Sequence, residues 1–170
     1  MAKKPSYVGV LNAIAIGERG GHELFRAWAD STTDEDLKPT LNMAAVREME
    51  HSYAFEKRLN ELGFSLVASP NKEVRKLVRV MKSKASDADK FAALGVGQAR
   101  SEGASDQPDR LLQILSDPSI DPQTGELMGR FICEERDTGK KLAKAFAAFQ
   151  KRQQKGGAKA QPKTRKKAAA

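Results

Sequence analysis

Apolar residues recur at helical spacing along almost the whole of this chain, yet several positions that the spacing assigns to a core face carry carboxylates. The first property limits the fold and the second limits the chemistry. Strand signals are scarce, with aromatics at 6% and no long alternation of apolar and polar residues. The chain is therefore read as all-α. Helices are predicted over residues 8–30 and 36–62, with the turn-forming run Ser31-Thr32-Thr33-Asp34 between them and Gly63 ending the second. A basic amphipathic stretch follows over 71–81, in which Val74, Leu77, Val78 and Met81 share a face. Ser86-Asp87-Ala88-Asp89 is a second helix start leading to about residue 100, so the third helical region is predicted to be broken. Residues 101–108 are rich in turn formers, and 110–115 make one short helical piece. The last helix has Asp121 as N-cap and Pro122 at its first position and runs to about Lys151.

The 170 residues amount to about one domain. Their net charge of +8 suggests a nucleic-acid or anionic-surface partner, but its position matters more than its size. Residues 151–170 (KRQQKGGAKAQPKTRKKAAA) hold eight cations and no acid, so residues 1–150 are formally neutral. The expected organisation is a folded body over 1–150 and a disordered basic tail over 151–170, whose partner would be a polyanion held by non-specific electrostatics. The single cysteine, Cys133, excludes an intrachain disulfide, a CxxC redox pair and a thiolate zinc cluster. No apolar run approaches the roughly 18 residues of a membrane span, and MAKKPSYVGVLNAIAIGERGG has neither the h-region nor the cleavage pattern of a signal peptide. A cytoplasmic protein with no membrane contact is expected.

The misplaced carboxylates recur on three helices. In the first, the stripe Leu11, Ile14, Gly21, Phe25 and Trp28 is interrupted by Glu18. In the second, Leu41, Phe55, Leu59 and Leu62 share their face with Glu48 and His51, three residues apart. In the last, Leu127, Phe131 and Leu142 flank Glu134, with Asp137 one turn on. Glu135 competes with Glu134, because its own stripe of Met128, Ile132, Leu142 and Phe146 is also apolar. A buried lone carboxylate costs several kcal/mol, so such a group must be paired, protonated or metal-bound. Arg19, Arg47 and Arg136 lie off these stripes, and a metal ion is the economical counter-charge. Glu18 and Glu48 each lie 12 residues from the turn between their helices, about 18 Å of helix, so a hairpin sets them level. Glu134 lies 12 residues beyond Pro122.

A faint repeat connects the two halves. Ile14-Ala15-Ile16-Gly17-Glu18 matches Leu94-Gly95-Val96-Gly97-Gln98, and Arg47-Glu48-Met49-Glu50-His51 matches Cys133-Glu134-Glu135-Arg136-Asp137. One half reads Glu and Glu-x-x-His, the other Gln and Glu-x-x-Asp. Residues 11–63 (IGERGGHELFRAWAD…REMEHSYAFEKRLNELG) resemble the first helical hairpin of rubrerythrin-type members of the ferritin-like superfamily. That resemblance implies an antiparallel four-helix bundle and a carboxylate-rich site for iron, as two ions or one, with manganese as an alternative. It implies an oxidoreductase or iron-handling protein that reacts with oxygen or peroxide, with metal ligands Glu18, Glu48, His51, Glu134 and Asp137. Gln98 and Asp137 stand where the family has a Glu and a second His, and Phe25 where many members have a Tyr. A metal-free helical adaptor on the same fold is the other expectation, and a homodimer is the expected assembly. His22, four residues after Glu18, is expected to be solvated on the loop side or to hydrogen-bond near the site rather than to ligate.

Overall fold

The stripes foreseen above become the inward faces of long helices. The computed structural model describes residues 5–69, 71–96, 112–113 and 115–159, with the backbone alone over 156–159. All regular structure among the described residues is helical: α1 (Val8–Ser31), α2 (Lys38–Glu61), α3 (Lys72–Lys82), α4 (Asp87–Ala93) and α5 (Pro122–Lys159), with residues 112–113 also helical. Gln98, residues 97–111 and residues 160–170 lie outside the described residues. No described helix is long and apolar enough to cross a membrane.

Cross-contacts give the directions of the long helices. On α1 and α2, Ser52 Oγ donates to the Ala15 carbonyl and Arg26 Nη1 to Asn42 Oδ1, so the two run antiparallel. On α2 and α5, Arg58 Nε donates to Thr124 Oγ1 and Arg47 Nη1 to Thr138 Oγ1, again antiparallel. α3 returns alongside α1 in the same direction, with Val74 against Gly20 and the Met81 carbonyl accepting from Ser31 Oγ at 2.5 Å. Asn71 caps α3 by accepting from the backbone N–H groups of Glu73 and Val74, and Ser86 caps α4 through Asp89. The predicted break in the third helical region is the Ser83–Ser86 interval between those caps.

The core falls into two clusters. One gathers Trp28, Leu41, Met81, Phe91, Leu142 and Phe149, with Trp28 edge-on to Phe91 at a 4.7 Å centroid distance. The other gathers Tyr7, Leu11, Phe55, Leu59, Met128 and Phe131. Residues 18, 48, 51, 134 and 135 fall between these clusters along α1, α2 and α5. The polar ends of the core are closed by side-chain networks. At one end the Trp28 indole donates to Asp87 Oδ1 at 2.7 Å, and the buried Lys90 ammonium donates to Ser31 Oγ at 2.8 Å. Burial pushes the Lys90 pKa down, against the opposing charge of Asp87.

Part of the basic segment expected to be disordered is helix. α5 continues through Lys159, so residues 151–159 are helix rather than disordered chain. Arg152 supplies the physical reason. Its Nη2 reaches Asp34 Oδ2 at 2.6 Å in the α1–α2 connection, and its Nη1 lies 3.4 Å from Asp36. That anchorage is 118 residues away in sequence and has no local signature.

At the start of α5, Asp121 behaves as the predicted cap and does more. Its carboxylate accepts from the Thr124 backbone N–H at 3.0 Å, from Arg58 Nη2 at 2.8 Å and from the Tyr7 hydroxyl at 3.0 Å. Burial opposes its ionisation, but hydrogen bonds from Thr124, Arg58 and Tyr7 hold its pKa far below the usual carboxylate range. Arg58 is only 9% exposed and would lose a charged partner without it. Asp121→Ala should therefore lower the unfolding free energy by about 2–3 kcal/mol, more than a lost cap alone. Urea denaturation measures this, and a loss under about 0.5 kcal/mol would contradict the network.

Candidate metal centre

His51 is the hub of the polar layer. The helical spacing of α2 turns it inward together with Glu48, and it is 4% exposed, with Glu48 at 8% and Glu18 at 9%. Its Nδ1 lies 3.1 Å from Glu18 Oε2 and 3.6 Å from Glu135 Oε1. Its Nε2 lies 2.7 Å from Glu134 Oε2. Phe131 packs edge-on against the ring at a 5.1 Å centroid distance and fixes its plane. α1, α2 and α5 thus each send a carboxylate to this one imidazole or to its neighbour.

The two flanks of the ring differ. Glu134 is partly open to solvent and also accepts from Arg130 Nε at 2.9 Å. Burial raises its pKa, but the hydrogen bonds from His51 and Arg130 outweigh this and bring it below the usual range. On the Nδ1 side, one donor atom each from Glu18, His51 and Glu135 fall within 4.8 Å of one another. Glu135 Oε1 is buried and accepts no hydrogen bond among the described residues. Burial and the charge of Glu18 raise the Glu135 pKa. Burial, with the charges of Glu18 and Glu135, pushes the Glu48 pKa up to about 9. For His51, burial works against the charged ring, but the carboxylates of Glu18 and Glu134 overcome it and raise its pKa.

Gly21 explains the glycine pair in α1. A Cβ at this position would sit 2.0 Å from Glu48 Oε2 and 2.8 Å from its carboxyl carbon. The Glu48 carboxyl therefore rests on the bare backbone of α1, where any side chain would evict it. Gly20 serves a separate contact, since its Cβ would fall 2.8 Å from Val74 Cγ1 on α3. Such uses offset the roughly 1 kcal/mol that a mid-helix glycine costs against alanine.

Of the five residues the sequence assigned to the site, Glu18, Glu48, His51 and Glu134 come together and Asp137 does not join them. The Asp137 carboxylate is engaged by Arg47 Nη1 at 2.6 Å and by Lys141. Arg47, off the apolar stripe, reaches across from α2 and also donates to Thr138 Oγ1 at 3.1 Å. Glu135 enters the inner group, and the competing stripe Met128, Ile132, Leu142 was its signal. Glu134 holds the far side of the ring instead. Of the two roles expected of it, His22 takes the hydrogen-bonded one, with Nδ1–H donating to the Ala45 carbonyl at 2.7 Å. Cys133, beside Glu134, is exposed.

The donor set fits a divalent first-row metal. Two carboxylates and one imidazole nitrogen, with the Glu48 carboxyl beside them, would suit iron or manganese. With Nε2–H donating to Glu134, Nδ1 would be the nitrogen open to an ion, and such outer carboxylates fix ring orientation and basicity. Comparison with protein-family models, curated proteins and solved structures gave no match to this chain.

Three outcomes follow, the first two for the metal-free protein. Glu48, Glu135 and His51 all have raised pKa values and so bind protons more tightly folded than unfolded. Their stabilising contribution is complete below the unfolded values and is lost as pH rises, for Glu48 from about 4.5 through about 9. In chelator, thermal midpoints should therefore fall from pH 6 to pH 9. Glu48→Gln should flatten that fall and raise the midpoint at pH 8 by about 3 °C or more; a steeper fall in the variant would contradict the assignment. Gly21→Ala should swing the Glu48 carboxyl out and weaken divalent-metal binding about tenfold or more, read by calorimetric titration.

Proposed function

We propose that this chain is a ferritin-like metal-binding protein that holds iron, or manganese, among α1, α2 and α5 and reacts with oxygen or peroxide. The observation that carries the reading is the buried Glu135 oxygen that accepts no hydrogen bond among the described residues, grouped with Glu18 and His51, with the charge of Arg47 acting on Glu135 without a direct ion pair. Buried carboxylates in this number must either hold protons or meet a counter-charge. The antiparallel packing of α2 against both α1 and α5 supports a helical bundle in which three long helices face one polar layer.

In this reading Glu18, Glu48, His51 and Glu135 hold the metal, and Glu134 orients the ring from behind. When bound, iron supplies one-electron redox chemistry toward an oxygen species. The protein's part is to aim Nδ1 inward, to hold Nε2 against Glu134, and to exclude water with Phe55, Phe131 and Leu11. Protons are released when the ion enters, because the Glu48 carboxyl, with its pKa pushed up to about 9, must ionise to ligate.

The full-length protein, reconstituted anaerobically with Fe(II), should retain close to one ion or more per chain after desalting. Glu18→Ala and His51→Ala should lose it, while Asp137→Asn should keep it. Retention of less than about a tenth of an equivalent of iron, manganese or zinc would overturn the proposal. One observation favours a metal-free scaffold as the second reading: both His51 nitrogens already face carboxylates within 3.1 Å. That scaffold predicts no metal uptake and an unchanged or increased stability in a Glu48→Ala/His51→Ala double variant.

A further inference from the structure

The neutrality of residues 1–150 conceals a strong separation of charge. Residues 72–84 hold Lys72, Arg75, Lys76, Arg79, Lys82 and Lys84 against the single acid Glu73, a net +5, so the rest of the body carries −5. α3 supplies five of those cations, all exposed. Positions 72, 75, 76, 79 and 82 repeat every three or four residues and therefore share one side of the helix, over about 15 Å of its length. Glu73 is taken by Lys76 at 2.8 Å. Among the described residues, Lys72, Arg75, Arg79 and Lys82 form no ion pair, and the neighbouring Arg19 is committed to Glu56 at 2.8 Å.

Helix stability does not account for this stripe. Arg79 and Lys82 sit in the last turn, where the macrodipole favours cations, but Lys72 opens the helix, where it disfavours them. Nor is the stripe the polar face of a bilayer-inserting helix. The opposite face, with Val78 and Met81 buried and Val74 lodged against Gly20, is already spent on α1 and α4. What remains outward is charge on a rigid rod with no aromatic residue for base stacking and no apolar residue free for lipid.

We propose that the outward face of α3 is a docking surface for the phosphate backbone of duplex nucleic acid. A row of cations spaced about 5 Å apart and held on a preordered helix meets a line of phosphates without ordering cost, and binding is driven by counterion release. Such contact positions the protein on the duplex and reads no sequence. The surface belongs to α3 and is distinct in sequence from the basic segment beyond residue 151.

The test uses the full chain and a fluorescent duplex of about 20 base pairs, with anisotropy read between about 30 and 200 mM NaCl. The wild type should bind with a steep salt dependence. The variant Lys72→Gln/Arg75→Gln/Arg79→Gln/Lys82→Gln should bind at least about tenfold more weakly at low salt, with a log–log salt slope shallower by about 3. Its thermal midpoint and metal uptake should match the wild type; if the fourfold variant fails to fold, Lys72→Gln/Arg75→Gln should show about half the change in slope. Duplex binding identical in the variant would place the contact on the C-terminal segment alone and overturn the proposal. So would the absence of duplex binding by the wild type, including the case in which it binds only vesicles rich in phosphatidylserine.

Discussion

The structure is organised around one constraint, the confinement of four carboxyl groups and a single imidazole between two apolar clusters. His51 meets Glu18 from α1 and Glu134 and Glu135 from α5, so the ring ties together the three long helices at one level. Neither cluster could slide past the other without separating these groups in a medium where separation costs several kcal/mol. The mutual register of α1, α2 and α5 is thus set by polar contacts, while the apolar contacts on either side supply most of the favourable free energy. The raised pKa values of Glu48 and Glu135 follow from their burial and from the charges of the neighbouring carboxylates.

Most of this layer was legible in the linear sequence, because helix periodicity is insensitive to small errors in boundaries. Glu18, Glu48 and His51 stood on otherwise apolar stripes, and the structure buries all three. Two neighbouring acids on α5 were harder to separate. Residues 134 and 135 differ by about 100° in helical phase, and an imidazole wedged between helices can be reached from both sides, so both acids contact it. The remaining misreadings share one cause. Arg47 lies off the stripe, yet its side chain is long enough to reach Asp137 on another helix and to take that carboxylate out of the group. Arg152 looked like part of a solvated tail, and only the tertiary position of Asp34 makes it the last anchor of α5. Periodicity reports where a Cβ points, not how far a flexible cation extends.

Charge bookkeeping by segment shows the same limitation from another side. A neutral total for the body hid an exposed cationic helix and a compensating acidic remainder, because summation discards position. Placing α3 on α1 through its apolar face decides which side of it meets solvent, and that decision follows from Gly20 and Val74 rather than from any charged residue.

The Glu134 contact gives the buried ring a route to the outside. His51 is almost fully enclosed, yet its Nε2 is one hydrogen bond from a carboxylate whose side chain is 27% exposed, and that carboxylate is bonded in turn to the solvent-facing Arg130. Proton exchange between the imidazole and bulk water therefore needs two short hops, from Nε2 to the Glu134 carboxylate and from there to water. The buried ring can equilibrate with the surroundings while the helices stay closed.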